Sequence, residues 1–306
     1  MPGRNKLVTL SKTDICAVIV TYHPDDNFPE RLAAIKEQVD RVIIVDNGSK
    51  NNAVSMLHRV AQDNSITLVL NNDNYGIATA LNTGIYQSES LGYQWSLLLD
   101  QDSSVDSELI QSLCAVHTNC GYQHKIAVIG SGYRDIRKPV LDTTKETAPD
   151  KNDAWQEVER VITSGSLLSI ERYKKLGGFR EDYFIDLVDT EYCMRARKHG
   201  YHVIKTSKPL MSHSIGIPSR HKLWGKTKWT TNHSADRRYY YIRNYTVLHK
   251  EYTNKIVGWW IIKGLLRCIK LIKLVLFFES DKLSKTLAIV QGWWHGVIGK
   301  MGKRNN

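Results

Sequence analysis

An apolar run, Trp95-Ser96-Leu97-Leu98-Leu99, leads directly into Asp100-Gln101-Asp102. Side chains at i and i+2 of an extended segment share a side. Asp100 and Asp102 would therefore project together from the carboxyl end of a core strand, where open α/β sheets bind ligands. Held that close, two carboxylates repel unless a cation joins them, and oxygen ligands of this kind suit Mg²⁺ or Mn²⁺ shared with substrate phosphates. The same stretch also suits a helix start, with an Asp shortly before Ser104-Val105-Asp106-Ser107-Glu108-Leu109. On spacing alone the two readings stand level. A second acidic group, Asp186, Asp189 and Glu191, reads as a helix start, with Asp186 or Asp189 placed to cap it and the rest as ordinary first-turn carboxylates.

Strands must carry such groups. Ile15–Thr21, Arg41–Asp46, Ile66–Leu70 and Trp95–Leu99 are short β-rich runs, with a fifth at Ile126–Ile129. Helical patterns at Glu30–Gln38, Asn52–Gln62 and Gly76–Glu89 separate the first four. That alternation predicts a Rossmann-like, doubly wound, mostly parallel sheet. The loops Val45-Asp46-Asn47-Gly48-Ser49, Asn71-Asn72-Asp73-Asn74-Tyr75-Gly76 and Asp100-Gln101-Asp102 then all open on one sheet edge. Each is ordinary turn chemistry taken singly; together they are what a nucleotide site needs. Thr21-Tyr22-His23-Pro24 stands where a dinucleotide fold carries G-x-G-x-x-G, and there is no P-loop signature, so dehydrogenases and P-loop NTPases are disfavoured.

The net charge of +11 is unevenly divided. Residues 201–306 hold 20 Lys and Arg against four acids, Asp236, Glu251, Glu279 and Asp281. Such a basic half implies a polyanionic neighbour, nucleic acid or anionic lipid. No nucleic-acid motif accompanies it, and the composition favours membrane. Across Ile256–Phe278, Lys263, Arg267, Lys270 and Lys273 fall within an arc of about 120° at helical spacing, and the rest is nearly all Ile, Leu, Val, Phe and Trp. Four charges argue against a spanning helix; a basic stripe beside an apolar face suits a helix lying in the interface. Ile289–Ile298, with Trp293 and Trp294, adds a second apolar patch. Five scattered cysteines without a C-x-x-C pair, and no apolar leader before Ile15, predict a cytosolic protein peripheral to the membrane's inner face.

The ordered motifs resemble the GT-A-fold glycosyltransferases of family 2. They are Val20-Thr21-Tyr22-His23-Pro24, Val45-Asp46-Asn47-Gly48-Ser49, Asn72 through Asn82-Thr83-Gly84, Leu99-Asp100-Gln101-Asp102, Gly177-Gly178-Phe179 and Asp189-Thr190-Glu191-Tyr192-Cys193-Met194-Arg195. Thr163-Ser164-Gly165-Ser166, Phe184-Ile185-Asp186 and Arg238-Tyr239-Tyr240-Tyr241-Ile242-Arg243-Asn244 are similar to bacterial dTDP-rhamnosyltransferases of surface-polysaccharide synthesis. The resemblance implies an inverting transferase with a catalytic domain over residues 1–215 and a helical acceptor and membrane region over 216–306. It implies that Asp46 reads the nucleobase, with Thr21, Tyr22 and His23 in the same pocket, and that Asn74, Gly76, Asn82, Asp100 and Gln101 border the donor. Asp100, Asp102 and His213 would hold Mg²⁺ or Mn²⁺. Asp189 matches the general base, although Val188 replaces the Glu that usually precedes it, which leaves open whether Asp186 or Glu191 assists. The implied partners are a dTDP- or UDP-sugar, a polyprenyl-diphosphate-linked saccharide acceptor and an anionic membrane, with no nucleic acid.

Overall fold

The computed structural model describes residues 10–135, 154–213, 219–223, 226–230, 232–252 and 258–304. Its centre is four parallel strands: β1 (Ile15–Thr21), β2 (Val42–Asp46), β3 (Ile66–Leu70) and β4 (Trp95–Asp100), in spatial order β3-β2-β1-β4. The connecting helices are α1 (Phe28–Lys36), α2 (Asn52–Val60) and α3 (Ile77–Ser90). Every residue of β1 and β2 is buried, as expected of strands covered on both faces. The pleat divides β1 between two cores. Ile15, Ala17 and Ile19 meet Phe28, Leu32 and Leu113 on one side; Cys16, Val18 and Val20 meet Leu81, Ile85 and Tyr192 on the other.

Beyond β4 the chain adds β5 (Ser104–Val105), α4 (Leu109–Asn119), β6 (Ile126–Asp135), β7 (Trp155–Glu157), β8 (Ser166–Ser169), α5 (Ile170–Leu176), α6 (Val188–Lys198) and β9 (His202–His213). The expected fifth strand exists and runs on to Asp135. It does not neighbour β4, because the short β8 lies antiparallel between β4 and β6. The hairpin β10 (Ser219–Leu223) and β11 (Lys226–Thr230) precedes three helices, α7 (Ala235–Tyr252), α8 (Trp259–Phe278) and α9 (Lys282–Ile298). Arg238 of α7 and Lys285 of α9 share the buried carboxylate of Glu279, which knits these helices together.

The amphipathic pattern of α8 needs a correction. Only a narrow stripe, Gly264, Cys268, Leu271 and Val275, is buried against its neighbours. Arg267, counted in the basic arc, turns inward to the Tyr241 hydroxyl and stacks over Tyr241 and Tyr245. The outward face carries Trp259, Ile262, Leu265, Leu266, Ile269, Leu276 and Phe277, with Lys273 exposed among them and Lys270 exposed at one edge. On α9, Leu283, Leu287, Val290, Trp294 and Ile298 form one exposed apolar line, while Ile289 is fully buried. Among the described residues no helix is long and apolar enough to cross a membrane.

Candidate active site

The strand ends β1 and β4, the loop after β3 and the segment before α6 surround a cleft of about 500 Å³. Thr21, Tyr22, Asn47, Asn74, Gly76, Asp100, Gln101, Asp102, Asp186, Asp189 and Arg237 line it, with Phe184 and Leu187 as apolar wall. The parallel order of β2, β1 and β4 brings these loops to one edge. Two loops then pack backbone to backbone. Gly48 and Gly76 both have φ of +90°, and a Cβ on Gly48 would lie 2.7 Å from the Asp73 carbonyl carbon. A Cβ on Gly76 would lie 2.5 Å from the Phe184 carbonyl oxygen, which accepts the Ile77 N–H at 2.7 Å.

Asp46 does not line the cleft. It is 1% exposed, and its carboxylate accepts the Thr21 hydroxyl at 2.9 Å and the Ser49 hydroxyl and N–H at 2.6 and 2.7 Å. Those bonds fix the β1 and β2 edges. The wall beside it is Asn47, whose amide donates to Asn74 at 3.0 Å and accepts from Asn71 and the Tyr75 N–H. His23 is exposed beside the cleft, with its N–H on the Ser49 hydroxyl. Gln101 reaches back to the Tyr22 backbone, accepting its N–H at 2.7 Å and donating to its carbonyl at 3.1 Å. Asn82 is not among the residues that line the cleft. Its Nδ2 donates to the Phe179 carbonyl and to Glu181, and its Oδ1 accepts the Phe179 N–H and the Tyr173 hydroxyl, so it ties α3 to the segment after α5.

Asp100 and Asp102 stand together on the cleft wall, half-buried and exposed respectively. Two hard carboxylate oxygens here fit a divalent cation that takes its other ligands from a phosphate-bearing substrate and water. Among the described residues no three His, Cys, Asp or Glu side chains are grouped so that they alone could hold a metal ion. The backbone of His213 ends β9, but its side chain lies outside the described residues.

The segment before α6 is unusual. Phe184, Asp186 and Leu187 have φ of 63°, 65° and 62°, a region costly for residues with a Cβ. The helix cap is Leu187, not Asp186 or Asp189. Asp189, in the first turn, accepts the Thr190 N–H at 2.6 Å. Burial pushes its carboxyl above the ordinary range and Asp186 adds to that, against hydrogen bonds from Thr190 and the Thr163 backbone. Glu191 faces elsewhere: it is fully buried, paired with Arg195 at 2.9 Å and with the Tyr252 hydroxyl at 2.6 Å. Asp186 pairs with Arg237 at 2.7 Å.

The family model described as glycosyl transferase family 2 matches residues 16–174. The chain belongs to glycosyl transferase family 2. It is therefore an enzyme that transfers a sugar from a nucleotide-sugar donor. The transferase is 32% identical over 244 residues to dTDP-rhamnosyl transferase RfbF of Shigella flexneri, covering 76% of this chain and 78% of that protein. Poly-beta-1,6-N-acetyl-D-glucosamine synthase of Staphylococcus aureus is 29% identical over a shorter stretch, 31% of this chain and 23% of its own. The mannosyltransferase PcManGT of Pyrobaculum calidifontis, solved with GDP-Man and Mn²⁺, superposes with a TM-score of 0.60 at 14% identity, over 95% of this chain and 89% of its own. GalNAc-T7, solved with UDP, GalNAc and Mn²⁺, gives 0.57 at 13% identity, over 78% of this chain and 48% of that one. The transferase thus has a GT-A-like fold.

Three α7 residues had no role assigned from the sequence: Arg237, which lines the transferase's cleft, and Arg243 and Asn244, which hold the segment before α6. Arg243 and Asn244 are fully buried. Arg243 donates to the carbonyls of Asp182 and Tyr183, and Asn244 to those of Tyr183, Ile185 and Asp186. The available signal was two polar residues in the middle of an aromatic helical run, Tyr239-Tyr240-Tyr241-Ile242-Arg243-Asn244-Tyr245.

Proposed function

We propose that this transferase moves L-rhamnose from dTDP-L-rhamnose to a hydroxyl of a polyprenyl-diphosphate-linked saccharide, inverting the anomeric centre in one displacement. The likeness to the rhamnosyl enzyme supports the donor. The observation that carries the mechanism is one cleft holding Asp100, Asp102 and Asp189 together. Thr21, Tyr22, Asn47 and Asn74 border the nucleoside, and Asp46 acts on the base by fixing Thr21 and the following loop. A divalent cation on Asp100 and Asp102, with His213 as a candidate third ligand, would neutralise charge on the departing diphosphate. Asp189 takes the proton from the acceptor hydroxyl as that oxygen attacks the anomeric carbon; its raised pKa makes it a better base than an ordinary Asp. Glu191 is committed to Arg195 and Tyr252 and takes no part in the proton transfer.

Calorimetry with dTDP, UDP and GDP tests the donor. The expected result is preferred binding of dTDP, strengthened by Mg²⁺ or Mn²⁺, with the metal effect lost in Asp102→Ala. Equal metal dependence in that variant would count against the two-carboxylate site, and a clear preference for UDP or GDP against the rhamnosyl donor.

The acceptor lipid requires a protein at the membrane surface. The exposed apolar faces of α8 and α9, with Lys270 and Lys273 exposed on the same side of α8, support docking on an anionic inner leaflet. Deleting residues 256–306 would also remove Cys268 and Ile289 from a buried cluster, so surface changes are the cleaner test. Phe277→Gln, Leu287→Gln and Trp294→Gln combined should release the enzyme from anionic liposomes in flotation while dTDP affinity is kept. Retained flotation would remove the membrane reading.

A further inference from the structure

Arg237 is the one cationic side chain lining the cleft among the described residues. It projects from the first turn of α7, whose N–H at Arg237 is held by the Ser234 hydroxyl. Its guanidinium pairs with Asp186 through both Nε and Nη2, at 3.4 and 2.7 Å. The side chain remains 42% exposed, so part of the fork is open to the cleft. Burial works against its charge, but Asp186, then Asp100 and Asp102, outweigh it and hold its pKa above the usual value. Arg237 therefore lies within the field of the same two carboxylates that would share a cation with the donor. A cleft walled by Asp100, Asp102, Asp186 and Asp189 repels a diphosphate, and one cation bound at the strand edge offsets only part of that.

Resting on the transferase reading of this cleft, we propose that Arg237 binds the diphosphate of the nucleotide-sugar donor, and that Asp186 holds its guanidinium in place until the phosphate replaces that carboxylate. A planar guanidinium suits the task, because it can bond two phosphate oxygens at once while an ammonium acts as a point charge. The assignment also gives α7 a direct part in donor binding. Asp186 then acts as a positioning residue whose carboxylate stands where phosphate oxygen will be.

The test is calorimetry with dTDP, dTMP and thymidine at fixed Mn²⁺, on the wild type, Arg237→Ala, Arg237→Lys and Asp186→Asn. Arg237→Ala should lose dTDP affinity by roughly 10- to 100-fold, the range for removing a charge-assisted hydrogen bond. Thymidine affinity should be unchanged. Arg237→Lys should recover part of the loss, and Asp186→Asn should bind dTDP at least as tightly as the wild type. Wild-type dTDP affinity in Arg237→Ala, or an equal loss for thymidine, would overturn the assignment. The wild type's preference among dTDP, UDP and GDP tests the donor base separately. The contrast between a diphosphate and its bare nucleoside tests Arg237 whichever base is preferred.

Discussion

Asp189→Asn, at the proposed general base, is expected to reduce sugar transfer by roughly 10²- to 10⁴-fold, the contribution of a positioned base, while leaving nucleotide affinity unchanged. The substitution keeps shape, and the amide oxygen can still accept the Thr190 N–H that now meets the carboxylate at 2.6 Å. What it removes is proton affinity. Burial, with help from Asp186, raises the carboxyl's pKa above 3.8. The base works only when ionised, so wild-type kcat/KM should fall as pH drops through that raised value, giving an acidic limb at higher pH than an ordinary Asp would. The residual activity of Asp189→Asn should lack the limb. Stability should move the other way. A carboxyl whose pKa is higher folded than unfolded favours the native state at low pH, and that stability is lost as pH rises through the folded pKa. At neutral pH the ionised Asp189 therefore costs stability, and Asp189→Asn should melt no lower than the wild type. Transfer within tenfold of wild type, or the same acidic limb in the variant, would show that another group takes the proton.

The sequence reading was most reliable where local pattern and tertiary role coincide. The runs at Ile15, Val42 and Trp95 are strands because their residues are apolar on both pleat faces, and only a sheet covered by helices on both sides accepts that. Parallel order then follows from the intervening helices, and the loops after β2, β3 and β4 must share an edge. Reach was harder to read. Asp46 and Asn47 are adjacent, yet one is sealed behind Thr21 and Ser49 while the other meets the cleft. Asn82 lies on the right helix but on the turn that faces Phe179. The basic half illustrates the limit of composition. Lys270 and Lys273 are solvated as expected, whereas Arg238, Arg243 and Lys285 are buried among partners far away in the chain. Only the packing of α7 around Glu279 and Lys285 and against the segment before α6 reveals that difference.

That packing leads to the second large effect. Phe184, Asp186 and Leu187 hold left-handed backbone conformations, each costing roughly 1–3 kcal/mol, which persist only where the surroundings over-determine them. Asn244 is one determinant, bonded to three carbonyls of this segment. Its Nδ2 meets the carbonyls of Tyr183, Ile185 and Asp186 at 3.0, 2.9 and 2.8 Å, and its Oδ1 accepts Arg243 Nε at 3.0 Å. Asn244→Leu has nearly the same shape and no donor. It should leave buried carbonyls unpaired, at about 1–3 kcal/mol for each group so exposed to desolvation, and let the strained loop relax. Asp186 and Asp189 would both shift, and with them Arg237 and the acceptor-side base. A displacement of about 1 Å at reacting groups costs on the order of 10²-fold, so kcat should fall by that order even on protein shown to be folded by its melting curve. A purely architectural Asn244 would predict a lower melting temperature with normal kcat below it. If kcat stays within twofold of wild type while the melt shifts, the loop keeps its geometry without Asn244, and the catalytic importance of that geometry must rest on Arg243 and Gly76 instead.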